Sequence, residues 1–148
     1  NFRGSMTRRY VRAVLLESKS DKLTAWFLTT HFVVGADGDH ADQLHRTLMR
    51  QNIEALGATL SVLRKTGYPI MGELDANIHK GTWAYAEFMQ MMDRHGPTFH
   101  GHEGVEYAFT IDGKHGAFTS VKADIIPTSE LNTDHEARVL TWEGHARN

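Results

Sequence analysis

A stripe of apolar residues in the first half of the chain restricts its fold more than any other feature. Leu44, Leu48, Met49, Ile53, Leu56, Leu60 and Leu63 recur at threes and fours, which marks one long helix with one buried side. Asp39 or Asp42 can cap its start, and Gly67 with Pro69 stops it. Runs of a different character flank it. Arg9 to Glu17 carries Val11, Ala13, Val14, Leu15 and Leu16; Ser18-Lys19-Ser20-Asp21 is turn chemistry; Leu23 to Val34 is β-branched and aromatic. Together these read as a β-hairpin. The second run is apolar on both faces, Ala25 and Phe27 on one and Trp26 and Leu28 on the other, so it expects cover on both sides.

Beyond the helix, Pro69 opens a short buried strand through Ile70 and Met71, which ends at Gly72. Glu73 and Asp75 follow two apart, so on an extended chain their carboxylates point the same way. Such a pair suits a metal or acid–base site; a solvated turn is the plainer alternative. Thr82 caps a second helix through about Arg94, whose Trp83, Ala84, Phe88, Met91 and Met92 read as core. His95 to Gly104 is a Gly- and His-rich loop, and Val105–Ile111, Ala117–Ile126 and Ala137–Trp142 read as three more strands. The order β-β-α-β-α-β-β-β predicts an α/β fold, a mixed sheet with two helices on one face.

At 148 residues with 41% hydrophobic content the chain suits one domain. A net charge of −2 excludes a bulk electrostatic grip on nucleic acid and leaves only local contact. The absence of cysteine fits a reducing, cytoplasmic setting. No apolar run approaches the ~20 residues of a membrane span, and no signal peptide is visible. Asn1 to Ser5 reads as an expression scar before Met6, leaving 6–148 as the single domain. Among ten histidines, His95, His100 and His102 have a spacing that could hold zinc with Glu103, but a Gly-rich loop collects histidine without any metal.

Four strand ends carry polar signatures in a fixed order: Thr30-His31, Gly72-Glu73-Leu74-Asp75, Val105-Glu106-Tyr107-Ala108-Phe109, and Asn132-Thr133-Asp134-His135. The ordered set resembles the endonuclease/exonuclease/phosphatase family, which includes DNase I-like nucleases and inositol phosphatases. Its corresponding pieces are T-H-L, G-D-F-N, I-D-Y-I-F and S-D-H-x-P-V. Arg46 to Gln51 looks like the family's Arg- and Gln-containing helix, and Pro97-Thr98-Phe99 fits its loop. The resemblance covers nearly all of Arg9 to Glu143 and implies metal-assisted phosphoester cleavage with Mg²⁺ or Mn²⁺. It implies that Asp134 and Glu73 hold metal, with Glu73 also placed to orient water. By the same resemblance His135 contacts the scissile phosphate, Glu106 orients His135, and His31 serves as phosphate contact or acid. Asp75 completes this set, and Arg46 and Asn77 are substrate contacts, Asn77 through a two-residue shift of register.

The chain also departs from the pattern. Asp75, an acceptor-only anion, stands where the family has an asparagine that donates to phosphate. Glu106 is one methylene longer than the family's aspartate, and Met49 replaces a tyrosine. Family members are about twice as long, with two sheets packed face to face; their first half carries an asparagine and a glutamate, the principal metal ligand, that have no counterpart here. Two expectations follow. One is a divergent, shortened relative, weakly active or inactive, that acts by binding a partner. The other is an active nuclease or phosphatase whose site is completed on dimerisation, with nucleic acid or another phosphoester as substrate. Either way, an apolar sheet face without cover predicts a homodimer through the sheet, with strand exchange as one form of it.

Overall fold

The computed structural model describes residues 9–126 and 137–147; the expectations for residues 1–5 and for Asp134 and His135 fall outside them. Strand β1 (Arg12–Glu17) pairs antiparallel with β2 (Thr24–His31), Arg12 opposite Thr29 and Glu17 opposite Thr24. Helix α1 (Gln43–Arg64) carries the chain to β3 (Ile70–Asp75), parallel to β2. Helix α2 (Trp83–Asp93) leads to β4 (Thr98–Glu103) and β5 (Glu106–Ile111), and the five strands lie in the order β1-β2-β3-β5-β4. Strands β6 (Gly116–Ile126) and β7 (Ala137–Ala146) leave this sheet and form a separate two-stranded ribbon. The architecture is the expected mixed sheet with two helices on one face.

Local chemistry explains the element ends. Asp42 caps α1, its carboxylate accepting the His45 amide at 2.8 Å, and Thr82 caps α2, its hydroxyl accepting the Tyr85 amide at 3.2 Å. The sequence reading differs from the structure at two places. β3 does not end at Gly72 but runs on to Asp75, because Glu73, Leu74 and Asp75 are paired with β2 on one side and β5 on the other. A strand bonded along both edges stays extended whatever its polarity. The supposed loop His95–Gly104 contains β4: Phe99 pairs with Phe109 and packs on the core, while the His100 ring bonds the Thr110 hydroxyl at 2.6 Å. The glycine and histidine content masked that strand.

Alternation sorts the sheet into two faces. Leu28, Ile70, Leu74, Tyr107, Phe109 and Ile111 meet Met49, Ile53, Leu56 and Leu60 of α1 and Phe88 and Met92 of α2. Position 72 falls in this layer and is a glycine, since a Cβ there would stand 2.3 Å from the Phe109 ring. The opposite face presents Val14, Phe27 and Met71, then Arg12, Thr29 and Glu73, then His31, Asp75 and Glu106, in successive cross-strand rows. The ribbon covers part of it, with the Trp142 ring 5.7 Å from Phe27 and 5.4 Å from Phe118. β2 is therefore contacted on both faces, as its composition predicts, yet Trp26 and Phe27 remain half-buried. Among the described residues, no helix is long and apolar enough to cross a membrane.

His95, just past α2, gives the fold a pH dependence. Its ring is buried and Nδ1 has no hydrogen-bond partner. Burial, then the nearby Arg64 and Arg94 guanidinium groups, hold its pKa below the usual histidine value. The unfolded chain therefore takes up a proton first as pH falls. His95 contributes stability that is fully present above the unfolded value of about 6.5 and declines as pH drops from there toward the lower folded value. Urea midpoints from pH 8 to pH 5 should show this decline, and His95→Gln should flatten it. An unchanged slope in the variant would remove His95 from the account.

Candidate functional site

His31 closes β2 and Asp75 closes β3; because the two strands are parallel, both side chains reach the same sheet end and stand in register. Glu106 opens the antiparallel β5 directly opposite Asp75, and Glu73 lies one row in, level with Thr29 and Ala108. All four line one open pocket of about 440 Å³, at the carboxyl ends of the parallel strands where α/β sheets commonly bind ligands. His31 Nε2 lies 3.3 Å from Asp75 Oδ2, with the His31 side chain half exposed and that of Asp75 mostly buried. The Asn77 backbone amide donates to Asp75 Oδ1 at 3.3 Å. Asp75 is thus held by two partners from the two strand ends.

The structure also adds residues that the motifs missed. Arg9, Tyr10, Arg12 and Thr29 line the same pocket. The pocket therefore holds arginines on the β1 side and carboxylates on the β3–β5 side. The signal for Arg12 lies in the hairpin: an antiparallel return through Ser18–Asp21 brings it level with Thr29, one row from His31. Tyr10 is fixed by its carbonyl, which accepts the Thr30 hydroxyl at 3.0 Å.

Two residues implied as substrate contacts do not line this pocket. Arg46 faces away on α1, its guanidinium donating to the Ala41 and Asp39 carbonyls and lying 5.7 Å from the Trp83 ring centre. It pins the loop ahead of α1. Asn77 adopts a left-handed backbone, φ 49°, and its amide donates to the Phe32 carbonyl at 3.2 Å. That bond ties the exits of β2 and β3 together, as does buried Asp37, which accepts from the His79 amide at 2.8 Å and its ring at 2.9 Å. The shift in register that would bring Asn77 to a ligand is absent: Asp75 stays opposite His31.

Among the described residues, no three His, Cys, Asp or Glu side chains come together as a metal site. Glu73 and Asp75 lie in one pocket but do not by themselves make the oxygen cage that Mg²⁺ or Mn²⁺ requires. Asp134, the other expected ligand, lies outside the described residues. Of the residues with zinc spacing, His100 is engaged with Thr110 and His95 is buried at the end of α2.

No family model and no curated protein matches this sequence. Solved structures do. The human Nocturnin catalytic domain with bound sulfate anion superposes with a TM-score of 0.57 at 15% identity, covering 95% of this chain and 54% of that one. An endonuclease/exonuclease/phosphatase from Bacteroides vulgatus gives 0.56 at 13% identity, over 91% and 56% of the two chains. Beta toxin from Staphylococcus aureus gives 0.54 at 16%, over 80% and 48%. The chain spans about half the length of these structures. Over that half, the chain shares the fold of these structures.

Proposed function

We propose that this chain is a divergent relative of the phosphodiesterase and phosphatase enzymes of that fold, one that acts by binding a partner and by itself hydrolyses phosphoesters weakly or not at all. Asp75 carries this reading. It occupies the position that the sequence resemblance gives to an asparagine whose amide donates a hydrogen bond to phosphate, and it shares its pocket with Glu73 and Glu106. An anion about 4 Å from Asp75 meets repulsion of about 1 kcal/mol in water-like surroundings and about 4 kcal/mol near a protein surface. Arg9, Arg12 and His31 offset part of this, but the described residues supply no cation cage to cancel the rest. The partner in this reading is another polypeptide, a second copy of the chain foremost, rather than a membrane. A cytoplasmic setting belongs to the same reading, since the chain has no cysteine.

One observation favours the alternative of an active nuclease or phosphatase completed on assembly. His31, Glu73, Asp75 and Glu106 arrive from three strands at one pocket, a convergence that surface polarity alone does not require. In that reading His31 donates a proton to the leaving oxygen and Glu73 orients water.

The two readings separate in a cleavage assay on plasmid DNA and bis(4-nitrophenyl) phosphate with Mg²⁺ or Mn²⁺. The expected rate stays within about threefold of the Asp134→Ala control, a difference of under about 1 kcal/mol in barrier. Calorimetric titration should give millimolar or weaker Mg²⁺ binding. A loss of about 100-fold in Asp134→Ala, together with micromolar metal binding, would establish the enzyme instead.

A further inference from the structure

The open sheet face carries a second depression, about 450 Å³, beside the ribbon. Its floor is Arg12, Val14, Phe27 and Met71, and its one raised wall is Leu140 and Trp142 of β7. β6 lies on the far side, toward β4. The trench therefore runs between β7 and the β1 margin of the sheet below. Among the described residues, β7 is an edge of its ribbon and β1 is an edge of the five-stranded sheet, so each layer ends in an edge on this side.

β1 is a poorly guarded edge. All six of its residues are exposed, and Val14, Leu15 and Leu16 keep 50%, 39% and 50% of their surface. Its charged residues, Arg12 and Glu17, stand at its two ends, and the stretch between them has no proline, charge or bulge to keep the edge from pairing. Val139 on β7 is 45% exposed. A two-stranded ribbon is marginal on its own, so β7 also gains from a further neighbour.

We propose that the trench takes β1 of a second copy, so that β1 of each chain pairs with β7 of the other. A single two-fold rotation about an axis between the layers achieves both pairings at once, because each chain offers one edge in each layer. An isologous contact of this kind closes and does not propagate. The result is a sandwich in which each five-stranded sheet is extended by the partner's ribbon, and Val14, Phe27 and Met71 of both copies lie between the layers. This inference rests on the reading of the chain as a binding module, and its test reads mass and proximity rather than cleavage.

Sedimentation equilibrium from 1 to 100 µM should return twice the chain mass of 16.7 kDa. Val14→Lys, at a position exposed in one chain but between the layers of the pair, should weaken association at least about tenfold, the effect of a charge buried without a partner, while the far-UV circular dichroism stays unchanged. The chain has no cysteine, so engineered thiols report pairing cleanly. Leu15 faces the helix side of its sheet and Thr141 faces away from the trench, so the two meet on one outer surface of the paired edges. A short bis-maleimide should therefore link copies when Leu15→Cys protein is mixed with Thr141→Cys protein, and not when either is alone. A monomer at 100 µM overturns the proposal. So does cross-linking of Leu15→Cys alone, which would mean that β1 pairs with β1.

Discussion

Phe88→Ala is expected to cost about 3–5 kcal/mol of folding stability, about a fifth or more of what a domain usually has. Phe88 lies on α2 with no surface exposed, its ring 5.0 Å from that of Tyr107 and 6.4 Å from that of Phe32. These three rings come from α2, β5 and the exit of β2, so the truncation leaves a cavity where three elements meet. Neighbours cannot close it by small shifts. The Tyr107 hydroxyl is tied to the Ile78 carbonyl at 2.7 Å, and Phe109 already fills the space over Gly72. In urea, the midpoint should fall with an unchanged slope. Val62→Ala, on the exposed side of α1 at 62% exposure, should stay within about 0.5 kcal/mol of wild type. A Phe88→Ala loss no larger than that of Val62→Ala would mean that α2 is not docked on the sheet.

Gly113→Ala is expected to cost about 1–3 kcal/mol, and its damage should be local to the ribbon. A Cβ at Gly113 would stand 2.3 Å from the Gly67 carbonyl oxygen, 2.5 Å from the Tyr68 carbonyl carbon and 2.6 Å from the Pro69 nitrogen. All three are backbone atoms, so no side chain can swing aside to make room. The same junction holds the start of the ribbon: Gly113 donates to the Gly116 carbonyl at 3.0 Å, and His115 donates to the Gly67 carbonyl at 2.9 Å. Relieving the clash moves β6 away from β3, and Trp142 with it from Phe27. Limited proteolysis should then cut between β6 and β7 faster than in wild type, with Lys114→Ala, an exposed neighbour, as the control. Equal cutting rates in all three proteins would show that the ribbon does not depend on this contact for its place.

The elements were largely legible because local chemistry sets them. The 3.6-residue recurrence from Leu44 to Leu63 is α1, and Asp42 and Thr82 cap the helices as their side chains predict. The errors have a common cause, the pairing of strands at a distance. Asp75 reads as a turn residue until β2 and β5 are seen to bond β3 on both sides. The Gly- and His-rich stretch before β5 reads as a loop until Phe99 is placed against Phe109. His31, Glu73, Asp75 and Glu106, singled out by motif order, line one pocket. Arg9 and Arg12, which line it too, carry no motif, and Arg12 gains meaning only from the register that sets it one row from His31.

By itself the sequence determined the fold class, the caps, the apolar side of each helix and the acidic residues of the pocket, since each depends on periodicity or on neighbours a few residues away. Only the tertiary structure decided three further matters. It sent β6 and β7 out of the main sheet to form a second layer. It turned Arg46 and Asn77 into braces for the loops around the site rather than contacts within it. And it left β1 and β7 as edges of two different layers on the same side of the molecule. Each of these depends on which backbone groups find partners far along the chain. A strand's own residues state which face is apolar, but not which neighbour, if any, will take its edge.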